Sequence, residues 1–193
     1  MIHGGEVFEK NEDYLEYISN YKIEGIEHFF RTKWKDRFQD DLGDECLVIQ
    51  PSMPNKRNAQ YAAWKMWFEK ILSVLNDEVI LIGSSLGGLF LAKYLAENKV
   101  SNRITKLFLL AAPFNRADIG YDNGDFTPPS DYSLIAEQCE QVYIYQSRDD
   151  KVVPFSEAEK YKGVLPGATF RAFEDKGHLN VPELPELVED LRS

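Results

Sequence analysis

The stretch EVILIGSSLGGLFLAKYLAENK, Glu78 to Lys99, constrains the fold more than any other part of the chain. Its first six residues are almost continuously apolar, which suits a strand covered on both faces, as in a parallel sheet. The run stops at small polar residues and glycines. From Leu86 to Glu97 the pattern is apolar nearly all round a helix, so that helix is also expected to be buried. Comparable short runs recur at Cys46–Gln50, Thr105–Ala112, Gln141–Gln146 and Thr169–Phe173, and all read as strands. Between them, Tyr61, Trp64, Phe68, Ile71, Leu72 and Leu75 repeat at helical spacing within a helix expected from about Asn58 to Leu75. Ser156–Glu159 has capping-box spacing, and PELPELVEDL reads as a closing helix. Strands alternating with helices imply right-handed crossovers. The expected fold is therefore α/β: a mostly parallel central sheet with helices on both faces. A length of 193 residues predicts a single domain, 1–193.

Composition narrows the function classes. A net charge of -10 argues against nucleic-acid partners, which require clustered basic residues. The basic residues in FFRTKWKDRF interleave with apolar ones at helical spacing and read as a solvated helix face. Cys46 and Cys139 are isolated, which suits a reducing cytoplasm. There is no leader-like amino terminus and no apolar run long enough to span a bilayer, so a cytoplasmic protein without membrane association is expected. His3, His28 and His178 are widely separated and flanked by no ligand cluster, so no metal is expected. No feature supports a protein partner.

Parallel sheets place ligand chemistry beyond the carboxyl ends of their strands. After EVILIG comes Gly83-Ser84-Ser85-Leu86-Gly87, where Ser85 is the central residue of G-x-S-x-G. A serine on such a strand-to-helix turn projects its oxygen above the sheet, and flanking glycines remove the Cβ atoms that would block the turn. After QVYIYQ come Asp149 and Asp150, and after TFRAF comes His178. Neighbours along an extended segment point opposite ways, so only one of the two aspartates can face the histidine. The chain order Ser…Asp…His is one that a nucleophile–acid–base triad adopts. An oxyanion hole would take one N–H from Leu86 and a second from the His3-Gly4-Gly5 turn. Gly5 is the expected donor, with Glu6 the alternative, and His3 would support the turn.

These pieces, IHGG, PSMPN with the Trp-bearing helix AAWKMWFEKIL, IGSSLGG, DDKVVPF and KGHLN, follow one another in family order. In them the chain resembles the α/β-hydrolases, in the small lidless serine-hydrolase group related to the retinoblastoma-binding serine hydrolase. The resemblance implies a triad of Ser85, Asp150 and His178, with Asp150 selected as the first residue of D-x-x-V-P. It also implies a Leu86 and Gly4–Gly5 oxyanion loop, no full cap domain and no cofactor. The chain departs from the family pattern at Ser84, where a histidine often precedes the nucleophile. It departs again in a longer acidic and aromatic stretch from Glu6 to Gln50, which bears on the pocket rim and hence on the substrate. The expected chemistry is acyl transfer from an ester or thioester of a small or medium substrate to water. The competing readings are a binding or regulatory module on the same fold, and cleavage of a carbon–carbon bond. Phe114–Ser130 is rich in turn formers and reads as a flexible rim, too short for a cap.

Overall fold

The computed structural model describes residues 1–23, 25–26 and 33–193. His28 and the segment 29–32 of FFRTKWKDRF lie outside the described residues. The core is a parallel four-stranded sheet in the order β1 (Glu78–Ser84), β2 (Arg103–Leu110), β3 (Cys139–Ser147), β4 (Thr169–Phe173). Each of these strands forms where an apolar run was read. The run expected to end at Ala112 stops at Leu110 because Ala111 turns into a left-handed conformation, φ 45°.

A right-handed crossover from each strand to its neighbour places the connecting helices on one face. These are α4 (Leu86–Glu97), α5 (Ser133–Gln138) and α6 (Phe155–Val164). Together with α3 (Tyr61–Leu72) they bury Leu81, Leu107, Leu109, Val142 and Ile144. The α3 face carries Trp64 and Phe68, which meet Phe90 edge-on at 5.6 and 5.3 Å between ring centroids. On the other face α2 (Trp34–Leu42) and α7 (Pro185–Arg192) cover the alternate strand residues Ile82, Phe108, Leu110, Tyr143 and Tyr145, while α1 (Asn11–Asn20) buries none of its residues. Alternation along the strands thus feeds two cores, which gives the three-layer α/β arrangement.

Ile2 lies beside β1 on the edge opposite β2. Its N–H donates to Ile82 O at 2.7 Å and its carbonyl accepts from Ser84 N at 3.0 Å. From there the chain passes outward to the segment near Ile49, whose carbonyl accepts from the Met1 amine at 2.7 Å. The later strands wind the opposite way, so the winding direction reverses between Ile2 and β1. A crevice at such a reversal is where open α/β sheets bind ligands.

Three expectations fail for physical reasons. Cys46–Gln50 forms no strand. Its neighbour toward the sheet is only Met1–Ile2, too short for a ladder, and Leu47 is 82% exposed. A groove of about 400 Å³, lined by Met1, Val48, Ile80 and Leu191 among others, remains along that side of β1. Ser156 does not cap α6, which begins one residue earlier after Pro154. Finally, Phe114–Ser130 is a tied rim, not a loose one. Glu157 accepts from Phe114 N and Asn115 N at 2.9 and 2.8 Å, and Arg116 Nε donates to Asp122 O at 2.8 Å. Asp125 accepts from Tyr61 N and Ala62 N at the start of α3.

Candidate active site

At the end of β1, Ser85 adopts φ 54° and ψ -124°, outside the regions an L-residue ordinarily occupies. A non-glycine residue held in such a conformation costs on the order of 1–3 kcal/mol and persists only where the surroundings impose it. They do so here. Ser85 N donates to Leu110 O at 2.8 Å, and Ser85 O accepts from Gly88 N at 2.8 Å. The flanking glycines are required by contact distance. A Cβ on Gly83 would lie 2.4 Å from Gly87 O, and one on Gly87 would lie 2.4 Å from Ile2 O. Among fully buried neighbours, Ser85 alone stays partly open to solvent.

The acid and the histidine meet beyond the same, carboxyl end of the sheet, after β3 and β4. His178 Nδ1 lies 2.8 Å from Asp150 Oδ2. A carboxylate can only accept there, so Nδ1 carries the proton and Nε2 is left with a lone pair. Gln146 Nε2 also donates to Asp150 Oδ2, at 2.9 Å, while Val152 N and Val153 N donate to Oδ1 at 2.8 and 3.0 Å. Burial pushes the Asp150 carboxyl up, but the His178 contact and the two backbone N–H groups outweigh it, and its pKa stays below the ordinary value. Asp149 does different work. It is exposed, and its Oδ1 accepts from Ser147 Oγ at 2.6 Å and Gly177 N at 2.8 Å. It therefore caps the turn that delivers His178, at Gly177, φ +51°.

The amino-terminal turn packs directly over the serine. A Cβ on Gly4 would stand 3.6 Å from Ser85 Oγ. Met53 N donates to His3 Nε2 at 2.8 Å, so the His3 proton resides on Nδ1 and is given to Gly4 O at 2.6 Å. His3 thus braces the turn, and burial holds its pKa below the usual value. Glu6 N is engaged with Lys56 O at 2.9 Å and is not free to serve an oxyanion. Gly5 and Leu86 donate their N–H groups to no acceptor among the described residues.

The structure brings Asp150 and His178 into direct contact, and packs the Gly4–Gly5 turn against the Ser85–Leu86 turn. The Ser85 hydroxyl makes no hydrogen bond to His178 in this arrangement. The two clusters are linked by the start of α2. Trp34 Nε1 donates to Leu179 O at 2.9 Å, Trp34 N donates to Val181 O at 3.1 Å, and Lys35 Nζ donates to Ser84 Oγ at 2.8 Å. Lys35 is therefore not on a solvated helix face. Sequence reasoning missed Trp34 and Lys35, because each acts through a partner far along the chain, and Gln146, whose nearby partner Asp150 is brought to it only by the fold of the loop after β3. None of Ser85, Asp150 or His178 lines the groove beside β1. Among the described residues, no group of three or more His, Cys, Asp or Glu side chains could hold a metal ion.

Comparison with known proteins bears on the family and the fold. Serine hydrolase RBBP9 of Rattus norvegicus is 27% identical over 155 residues, covering 78% of each chain. The solved structure of the ydeN gene product from B. subtilis superimposes with a TM-score of 0.75 at 18% identity, over 99% of this chain and 94% of that one. The meta-cleavage product hydrolase CumD of Pseudomonas fluorescens IP01 gives a TM-score of 0.61 at 16% identity, over 99% and 86%. Identities this low carry the fold alone, and they place the sheet among α/β-hydrolases. The serine hydrolase family model matches residues 22–184, and the chain belongs to that family.

Proposed function

We propose that the protein hydrolyses an ester or thioester of a small or medium substrate through an acyl-enzyme on Ser85. The observation that carries this reading is the left-handed backbone at Ser85, held where the sheet reverses its winding. A strained, partly open serine is what nucleophilic attack needs, and packing alone would be served there by glycine. Ser85 Oγ attacks the carbonyl carbon while His178 Nε2 takes its proton. Asp150 holds the Nδ1–H tautomer and stabilises the imidazolium. The Gly5 and Leu86 N–H groups receive the developing oxyanion, and each such donor contributes about 3–4 kcal/mol in the transition state. His178 then returns the proton to the leaving group, and water repeats the sequence on the acyl-enzyme. No cofactor enters these steps.

A panel of aryl esters and thioesters of graded acyl length tests this reading. Turnover should fall at least about 10³-fold in Ser85→Ala and survive in Ser84→Ala. Turnover retained in folded Ser85→Ala would refute it.

A further inference from the structure

Lys35 stands apart from the other shielded cations. Lys93 meets Glu97 Oε1 at 2.7 Å, Arg116 faces Glu6 and the Asp122 carbonyl, and Lys106 Nζ is ringed by the carbonyls of Asp190, Leu191 and Ser193. Lys35 Nζ has only the neutral Ser84 hydroxyl, at 2.8 Å, and the Trp34 ring, at 5.5 Å to the centroid. Among the described residues it pairs with no carboxylate, in a chain with 32 acidic and 22 basic side chains. An ammonium withdrawn from water without an anion is unfavourable and is best relieved by one.

The position is built, not accidental. The Lys35 carbonyl accepts from Gln50 Nε2 at 2.9 Å, and Lys33 N donates to Asp36 Oδ2 at 2.8 Å at the helix start. Trp34 ties the same turn to Leu179, next to His178. The amine thus bonds the side chain of Ser84, the residue before Ser85, while the adjacent Trp34 bonds the histidine loop.

Building on the hydrolase reading above, we propose that Lys35 is a specificity residue that binds a carboxylate of the substrate, so that the preferred substrates are anionic esters or thioesters. The long-range field of a chain with net charge -10 repels anions, which makes a local cation beside the nucleophile the means of admitting them. Burial lowers the Lys35 amine to about 8. The charged groups that face it are Lys33 and Asp36 on α2 and His3 on the amino-terminal turn. The amine is cationic below its pKa, so selection for anions should weaken as pH rises through that value.

The test measures the ratio of kcat/KM for an anionic ester to that for its neutral counterpart. One arm places the carboxylate on the acyl side, comparing 4-methylumbelliferyl hemiglutarate with the pentanoate. The other places it on the leaving group, comparing the butanoate esters of 4-hydroxybenzoate and of methyl 4-hydroxybenzoate. The wild type should favour the anion in one arm, and Lys35→Met should cut that ratio about 10- to 100-fold, as expected for a charge-assisted contact. In the wild type the ratio should also fall above about pH 8, a readout that needs no variant and in which ionisations common to both esters cancel. A ratio below one in both arms, or one indifferent to Lys35→Met and to pH, would overturn the anion site while leaving the hydrolase intact. Absence of turnover on all four esters, with Ser85 unreactive to a fluorophosphonate, would instead mean that the hydrolase reading fails and this one with it.

Discussion

Replacing Asp150 by asparagine should disable the enzyme without unfolding it. The carboxylate takes four donors: His178 Nδ1 and Gln146 Nε2 on one oxygen, Val152 N and Val153 N on the other. An amide has one oxygen to offer. With that oxygen toward the backbone pair, its NH₂ faces Nδ1, and the imidazole must present a lone pair there and carry its proton on Nε2. That tautomer cannot accept from Ser85. With the amide reversed, the NH₂ opposes two backbone N–H groups and both bonds are lost. Either way kcat should fall by about 10³–10⁴, or about 4–5.5 kcal/mol at about 1.36 kcal/mol per decade. Asp149→Asn keeps an oxygen for Ser147 Oγ and Gly177 N, so its kcat should fall less than about tenfold. The assay is steady-state hydrolysis of a short-chain aryl ester, with circular dichroism and thermal melting to establish folding. The reverse ranking in folded variants, or an Asp150→Asn enzyme within tenfold of the wild type, would refute the assignment.

Gly87→Ala should destabilise by about 1–3 kcal/mol, because its Cβ would meet Ile2 O at 2.4 Å. For a chain of this length that is a fall in Tm of about 2–12 °C. Gly163→Ala, in α6 with nothing within 4 Å, should instead raise Tm. A thermal melt in which both substitutions act alike would discredit the packing argument. Asp190 is the acid-sensitive group of the α7 face. Burial raises its pKa, but contacts with Arg171, Tyr145 and Lys106 outweigh this, and the net shift is downward. A lowered folded pKa stabilises above the unfolded carboxylate value, about 3.9, and this contribution disappears as pH falls through the folded value. Asp190→Asn should therefore lower Tm near neutrality and flatten its decline in acid. Parallel Tm–pH curves for variant and wild type would contradict this.

What could be read from the sequence was local or strongly periodic. β1 to β3 announce themselves because strands buried on both faces admit almost nothing but apolar residues, whereas β4, at the edge and exposed at Thr169 and Ala172, shows only a short apolar-aromatic run. Ser85 and His178 were legible because each lies in the turn or loop that follows a strand. Cys46–Gln50 has the composition of a strand, yet a strand exists only where a neighbour pairs with it, and Met1–Ile2 offers too short a ladder. The capping-box pattern Ser156–Glu159 failed because α6 already begins at Phe155, after Pro154, which puts Ser156 inside the first turn and not at the cap. The choice between Gly5 and Glu6 as free donor depends on Lys56 O, which no spacing rule reveals. Lys35 was hidden for the same reason: its partner, Ser84, lies 49 residues along the chain.

The central claim is that Ser85, not its neighbour Ser84, forms the covalent bond to the acyl group. A fluorophosphonate reports this most directly, with the adduct located by mass spectrometry of the peptide spanning β1 and α4. Wild type and Ser84→Ala should be labelled on Ser85, and Ser85→Ala should remain unlabelled. Labelling of Ser84, or equal labelling of all three proteins, would contradict the account.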